Sequence, residues 1–447
     1  MKTENKGTIK FLSLMLAICL LLSACGRSSG GSTSYDNQDD TSDEIVSVDG
    51  ESISGGNENN EPLHKTEIPE GYIGIYKVDD LINSGKNESA NYIIMNDLDL
   101  SSVSDWEGIV NRGNFDGNNY TIKNLKSSTG GLFSYSENLM NFKLENININ
   151  VVVDEVTSSF MEIGGLTNYG CALSNCSVSG NINVKIEPKN ELSDYFPLSE
   201  RDETYYIGGI VGCESLSEDY IISSCVNNAI INVENIVNRI TRVGGVLGYG
   251  SGSVIDSKNY GLIKVTSDAT QNSIAGGICG SSRNCQRCGN YGEIYSAGIA
   301  GGVVGGLTFA TYEIDSCYNS GNILSDKHES LDSYLGEAKG SCAGGIVGYI
   351  DSATEGIIKN SYNVGKCSGA NNCGEIVGGR YHYQGLDIKY CAYCGQNNIG
   401  LTGDSAMFAD NKAMTIKEME ELSNYPFDNK ELTWTNGTGE YRYPVIK

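Results

Sequence analysis

A repeated unit of glycine, β-branched residues and asparagine constrains the fold of this chain more than any other feature. Its full form is GGIVG, followed after a variable spacer by I-x-x-C-x-N-x-G-x-I. The repeat starts lie 25 to 44 residues apart, a range in which one supersecondary unit stacks on the next. Clear copies begin at Gly208, Gly244, Gly276, Gly301 and Gly344, and weaker ones at Gly130, Gly164 and Gly374.

Each unit holds short runs in which apolar and polar residues alternate, with Gly and Asn between the runs. Alternation with a period of two indicates strands, and no unit has an apolar stripe long enough for a helical solenoid. Three short strands in about 25 residues would form one rung of a coil. We therefore predict an all-β fold, a right-handed parallel β-helix (solenoid) with short helical and strand caps. Gly and Asn are expected to adopt the left-handed backbone at its corners.

The sequence of residues 62–129 predicts an N-terminal cap and the first strands. A solenoid needs such caps because its end rungs would otherwise expose apolar side chains. Strand-like runs cover 72–78 and 91–100, and a short helix is predicted over 79–84.

The repeats occupy 130–400, and residues 401–447 predict a C-terminal cap. Within this cap, Thr415 and Glu418 have the spacing of a capping box, in which two side chains satisfy the first backbone donors of a helix. A helix over 416–422 is therefore expected.

Residues 1–24 have the parts of a lipoprotein signal peptide. Three lysines precede an apolar run from Phe11 to Leu22, which is shorter than the roughly 20 residues that a membrane-spanning helix needs. The run ends in Leu-Ser-Ala-Cys, which resembles a bacterial lipobox and predicts lipidation of Cys25 with palmitate-type acyl chains. The alternative is a buried cysteine at the end of an ordinary helix.

Residues 25–61 are predicted to be a lipidated, disordered tether. After Arg27 this segment carries nine acidic residues and no basic one, a composition that cannot bury enough surface to fold. Two or three acyl chains on Cys25 would anchor the chain stably. We predict an exported protein that is lipid-anchored to the bacterial cell membrane and faces the outside.

The repeats resemble those of the GLUG-motif family, which occur in bacterial surface adhesins and in secreted peptidases that cleave immunoglobulin A. The resemblance extends over about residues 70–447, from a lead-in with FDGNNYTIKNL to the closing YPVIK. It implies a β-helical surface module, often adhesive, and is weakly informative about the ligand.

Five cysteines recur at one position of the aligned repeats, and two serines fill it in other copies. The simplest interpretation is a buried ladder of small side chains inside the coil; disulfides are the alternative, because export permits them. Two C-x-x-C pairs suggest zinc only weakly, since they lie on distant rungs. The ladder positions are Cys176, Cys225, Cys288, Cys317 and Cys391, with Ser257 and Ser361.

The net charge and the lack of known catalytic motifs limit the classes of function that the sequence allows. The formal net charge is −25, so nucleic acid and anionic lipid head groups would be repelled. None of the three histidines lies in H-E-x-x-H, and no P-loop or dinucleotide-binding fingerprint occurs. Asp97 and Asp99 are the nearest candidates for a carboxylate pair. We predict no catalytic site, metal or cofactor, with a polysaccharide-active enzyme as the less favoured alternative.

A binding surface is predicted on two insertions, 187–206 and 326–341, which fall at the same place in the repeat. Insertions on one face of a solenoid often form its binding face, although they are also tolerated as surface loops. We predict a surface lipoprotein that binds a host or envelope glycan or protein; a structural module without a ligand is the alternative. The candidate ligand-binding residues are Tyr195, Phe196, Tyr205, Tyr206 and Tyr334.

Overall fold

Short alternating runs form strands, and the strands stack into three parallel sheets. The computed structural model describes residues 64–155, 160–188, 204–214, 220–236, 240–267, 273–326, 341–351, 355–380, 386–394, 410–439 and 441–447. These residues fall within one compact unit, 58–447. Every strand pair within the three sheets is parallel in this part of the chain.

Sheets A and B form two sides of the coil. Within the described residues, sheet A has 15 strands: Tyr72–Ile75, Asn91–Ile94, Ile109–Asp116, Phe133–Met140, Thr167–Ser174, Val211–Glu214, Ile221–Ser223, Leu247–Ile255, Cys279–Gln286, Val304–Leu307, Thr311–Asp315, Val347–Ile350, Glu355–Lys359, Val377–Arg380 and Leu386–Lys389. Sheet B has 16 in the same ranges: Leu98–Asp99, Thr121–Lys123, Lys126–Ser127, Lys143–Val153, Ser177–Ile186, Val226–Asn235, Lys258–Asn259, Ile263–Ser267, Gly289–Asn290, Ile294–Ser296, Tyr318–Asn319, Ile323–Ser325, Tyr362–Asn363, Cys367–Ser368, Ala392–Tyr393 and Lys412–Ala413.

Sheet C is the third side, and it shows that one sequence repeat forms one rung. The first glycines of successive repeats pair in register, Gly208 with Gly244, Gly244 with Gly276, and onward to Gly374. The predicted parallel β-helix is thereby confirmed. The described strands of sheet C are Phe160–Gly164, Thr204–Gly208, Ile240–Gly244, Ser273–Gly276, Ile299–Gly301, Cys342–Gly344 and Asn372–Gly374.

Apart from Gly130, which has a φ of +129°, the repeat glycines are needed for close packing and not for left-handed backbone. A Cβ atom on Gly276, Gly277 or Gly280 would lie less than 3.0 Å from backbone atoms of the same or an adjacent rung. Positive φ values instead occur at the corner between sheets A and B. The prediction of left-handed Asn at these corners is confirmed, whereas the prediction of Gly there is wrong. The corner residues through the repeats are Asn141, Asn175, Ser224, Asp256, Arg287, Ser316, Asn360 and Tyr390.

A ladder of buried asparagines runs inside the coil, and it explains the Asn of the repeat motif. Asn259 donates from Nδ2 to Asn290 Oδ1 of the next rung at 2.8 Å and to Gly261 O of its own rung at 2.9 Å. The same pair of bonds recurs along the ladder, so these buried amide groups are satisfied. The members are Asn227, Asn259, Asn290, Asn319 and Asn363.

The second glycine of each repeat and the ladder asparagine are physically coupled. A Cβ on Gly277 would overlap the amide of Asn290, and Gly345 stands in the same relation to Asn363. In the last repeat Glu375 replaces this glycine. Its carboxylate accepts from Asn363 Nδ2 at 3.0 Å and ends the ladder, since the next residue in register is Tyr393.

The N-terminal cap is close to its prediction. A helix forms over Val78–Ser84, but the run expected to be one strand over 91–100 divides between sheets A and B. Asn118 fixes the start of the described chain by donating to Lys65 O and Ile94 O, at 3.0 Å each. A 3₁₀ turn, Leu100–Ser102, follows the second strand.

The C-terminal segment folds back along the outer face of sheet B. Tyr362 of that face donates to Pro444 O at 2.6 Å, and Trp434 packs beside it. The predicted capping box forms, with Thr415 N donating to Glu418 Oε2 at 2.8 Å. The predicted helix over 416–422 is wrong: 3₁₀ turns form at Glu418–Glu420 and Leu422–Asn424, followed by a helical turn Lys430–Thr433 and an antiparallel pair, Trp434–Thr435 with Val445–Ile446.

Candidate ligand-binding face

The GG-x-x-G turn folds each sheet C strand back against a strand of sheet A, so that outward side chains of the two sheets meet in the angle between them. We call this the C/A cleft. Tyr206 lines it from sheet C, in register with Glu162 on one side and Arg242 on the other. Tyr249 lines it from sheet A, in register with Cys213. The glycines at the turn allow the two backbones to approach closely.

Four aromatic rings form a row along the N-terminal part of this cleft. Phe160 stacks on Tyr206, Tyr206 on Tyr249 and Tyr249 on Phe309, with centroid separations of 6.0, 4.7 and 5.7 Å and interplanar angles of 13°, 14° and 18°. Tyr206 is only 6% exposed, whereas Phe160 is 53% exposed. The aromatic row, Phe160–Tyr206–Tyr249–Phe309, therefore ends on sheet C in a half-exposed ring.

Two arginines lie over rings of the aromatic row. The guanidinium carbon of Arg242 is 4.9 Å from the centroid of Tyr249, and that of Arg283 is 5.8 Å from the centroid of Phe309. Both separations are in the range of cation–π attraction. Burial raises the pKa of Tyr249 and outweighs the lowering effect of both arginines, so the phenol stays neutral.

Toward the C-terminus the C/A cleft is closed by its own side chains. Ile274, Ile299 and Cys342 from sheet C pack with Tyr349 from sheet A as a small second core, each at most 5% exposed. The end of the C/A cleft that presents a half-exposed ring is therefore the end that carries the aromatic row.

Of the predicted ligand-binding residues, the structure places Tyr206 in the C/A cleft, as a member of the aromatic row. Tyr205 lies on the other side of the strand and points into the coil, where it joins the core, because adjacent residues of a strand face opposite sides. The insertion predicted over 187–206 is also corrected, since its last three residues belong to the sheet C strand Thr204–Gly208. The remaining predicted residues lie outside the described part of the chain: Tyr195, Phe196, Tyr334 and the lipidation site Cys25.

Five residues of this face were not predicted from the sequence: Phe160, Tyr249, Phe309, Arg242 and Arg283. The signal that could have identified two of them is the register of the repeat. It aligns Phe160 with Thr204 and Arg242 with Tyr206 along sheet C. Tyr249 comes from sheet A, so its approach depends on the turn between the two sheets.

The predicted cysteine ladder is present inside the coil. Cys225 N donates to Ser257 Oγ at 3.1 Å, and Cys317 N donates to Ser361 Oγ at 3.0 Å. Each ladder thiol or hydroxyl donates to the carbonyl two residues earlier, as Cys288 does to Gln286 O at 3.3 Å. All ladder members are buried, and its five cysteines are free thiols.

The predicted carboxylate candidates serve local structure. Asp97 accepts from Thr121 N at 2.8 Å, and Asp99 accepts from Ser101 N at 3.0 Å and from Asn124 Nδ2 at 2.8 Å. The hydrogen bond from Asn124 is the main reason that the pKa of Asp99 is lowered to about 2. Across the described ranges, no group of three or more His, Cys, Asp or Glu side chains is placed to hold a metal ion.

Comparison with known proteins finds similarity to solved structures. No protein-family model matches the chain, and no curated protein matches it. A protein from Bacteroides ovatus, provisionally assigned as an immunoglobulin A1 protease, is 15% identical over 84% of this chain and 91% of its own, with a TM-score of 0.46. A second structure, named IgA1 protease, is 16% identical over 72% of this chain, with a TM-score of 0.41.

This chain spans only 21% of the second protein's length. At such identities and TM-scores, neither protein bears on what this chain does. No helix in the described part of the chain is long and apolar enough to cross a membrane.

Proposed function

We propose that the chain is an exported lipoprotein, anchored through Cys25, whose β-helix presents the aromatic row to a glycan or protein ligand outside the cell. The signal-like segment and the acidic tether support the location. The observation that carries the binding role is the ring of Phe160, which is 53% exposed at the end of the row.

Stacking on Tyr206 makes the ring of Phe160 a preorganised contact surface. Phe160 lies parallel to Tyr206 at 6.0 Å, and such a ring loses little conformational entropy when a ligand covers it. An aromatic face packs well against the apolar face of a sugar or against an apolar peptide side chain. Binding is favoured over glycan cleavage, because cleavage uses a pair of carboxylates and the acidic residue in register with the row is Glu162.

A binding array tests this proposal. The full-length chain, purified in detergent and labelled, is applied to glycans, matrix proteins and envelope polymers as wild type and as Phe160→Ala. Tyr260→Ala is the matched control, because Tyr260 is also an exposed ring, at 43%, and stacks on Tyr291 at 4.5 Å. We expect Phe160→Ala to lose the wild-type signals and Tyr260→Ala to keep them.

Two results would contradict the proposal. Equal signals from wild type and Phe160→Ala would remove the aromatic row from the binding site. The absence of any signal across the array would favour a structural module without a ligand of its own.

A further inference from the structure

Arg242 is held in the C/A cleft with no acidic partner among the described residues. Its strand, Ile240–Gly244, pairs with that of Tyr206, and its guanidinium carbon lies 4.9 Å from the ring centroid of Tyr249. Its Nε atom is buried with no hydrogen-bond partner. In the described ranges no carboxylate lies within the 4.0 Å of an ion pair to Arg242.

A second arginine in the same chain shows what is missing at Arg242. The guanidinium carbon of Arg112 also lies 4.9 Å from a tyrosine centroid, that of Tyr135. Arg112 Nε donates to Glu88 Oε2 at 3.3 Å. Stacking on tyrosine is therefore compatible with carboxylate binding. Arg112 has Glu88 as its carboxylate partner, whereas Arg242 has no such partner among the described residues.

The surroundings of Arg242 favour an anion. Arg283 lies over the next ring, Phe309, so two positive charges flank Tyr249. The nearest acidic position in register is Glu162, two strands away on sheet C. Glu162 lies two residues from Phe160 on the same side of its strand, so the positive charge stands at Arg242 and not beside the exposed ring.

We propose that the aromatic row binds an oligosaccharide carrying a single carboxylate, with the carboxylate on Arg242 and a sugar ring on the exposed aromatic face. The inference rests on the proposed function and specifies its ligand. A guanidinium pairs with a carboxylate through two parallel hydrogen bonds, and an aromatic ring packs against the C–H face of a sugar.

The net charge of the chain limits the ligand to few charges. A formal charge of −25 repels long polyanions, whereas charges more than a Debye length away, about 8 Å at physiological salt, are largely screened from one bound carboxylate. An acidic sugar of the sialic or the uronic type would satisfy the same contact.

Titration calorimetry on the full-length chain in detergent tests the inference. The probes are sialyllactose and a glucuronic-acid-terminated disaccharide, each compared with its neutral methyl ester. We expect one of the acids to bind at least about tenfold more tightly than its ester, which is the effect of one charge-assisted hydrogen-bonded pair. Which acid binds distinguishes the two sources.

Matched variants locate the contact. Arg242→Gln should lose the preference for the acid, while Arg112→Gln, which removes a guanidinium at the same distance from a tyrosine ring, should keep it. Arg242→Lys retains the positive charge and should recover part of the preference. The comparison of acid with ester in the wild type needs no variant and so does not depend on the variants folding.

Several outcomes would overturn the inference. Equal affinity for acid and ester would do so while leaving the proposed function intact, as would wild-type affinity in Arg242→Gln. Equal binding of a glutamate-rich peptide would show an acidic peptide site instead. If no acid or ester binds and the array also yields no ligand, both the inference and the proposed function fail.

Discussion

Replacing Asn290 with alanine should destabilise the coil strongly, because Asn290 lies in the middle of the buried ladder. It accepts from Asn259 Nδ2 at 2.8 Å and donates to Gly292 O at 2.9 Å and Asn319 Oδ1 at 2.7 Å. Alanine leaves these three buried groups each short of one partner. At about 1–3 kcal/mol for each, with some relaxation, we expect the free energy of unfolding to fall by about 3–6 kcal/mol.

Asn183→Ala is the matched control. Asn183 belongs to a similar ladder on the outer face, where it donates to Asn150 Oδ1 at 3.0 Å and accepts from Asn232 Nδ2 at 3.1 Å. Water can replace these partners, so we expect a change within about 0.5 kcal/mol.

Urea unfolding of the full-length chain measures both variants. Hydrogen exchange adds the location, because each rung contacts mainly its neighbours and the loss should centre on residues 259–319. Equal destabilisation by Asn290→Ala and Asn183→Ala would refute the role assigned to the buried ladder.

Four further predictions concern the repeat glycines, a buried acid, the cysteine ladder and the anchor. Gly277→Ala should lower the melting temperature sharply, since its Cβ would overlap backbone and the ladder amide, while Gly306→Ala, whose Cβ would keep a distance of 3.4 Å, should change it little. Burial raises the pKa of Glu214 from 4.5 to about 8, so its contribution to stability is complete below pH 4.5 and declines up to about pH 8. Over that window the wild type should lose on the order of 5 kcal/mol relative to Glu214→Gln; parallel melting profiles against pH would contradict this. Cys288→Ser should cost less than about 1 kcal/mol in urea unfolding, because serine already fills two ladder positions and keeps the donor; a larger loss would argue against equivalence of the two residues. Cys25→Ser should abolish labelling by a palmitate analogue and release the chain from the membrane fraction; unchanged labelling would place the lipid elsewhere.

The sequence was sufficient to predict the architecture, because each repeat carries the marks of one rung. Alternating β-branched residues specify strands, and the repeated Cys and Ser positions specify the side-chain ladder. The role of the repeat glycines was predicted wrongly, because they were expected to adopt left-handed backbone at the corners. Gly277 is required by the approach of Asn290 and of the neighbouring rung, and such proximity between distant residues is not visible in a local sequence pattern.

The candidate site was predicted only in part. Tyr206 lies in the aromatic row and Tyr205 points into the coil, because the orientation of two adjacent tyrosines depends on the register of the strand. Phe160 and Tyr249 lie 89 positions apart, in different sheets. Phe160 becomes a neighbour of Tyr206 through strand pairing in sheet C, and Tyr249 does so through the turn between sheets C and A. The helix predicted over 416–422 does not form, because the capping box stabilises a single turn and the chain then packs on sheet B.

Hydroxyl-radical footprinting of side chains, with and without the best ligand from the binding array, tests the central claim most directly. The account predicts that bound ligand protects Phe160, the exposed end of the aromatic row, and leaves the exposed ring of Tyr260 unchanged. Unchanged oxidation of Phe160 under saturating ligand, with protection at another surface, would contradict it.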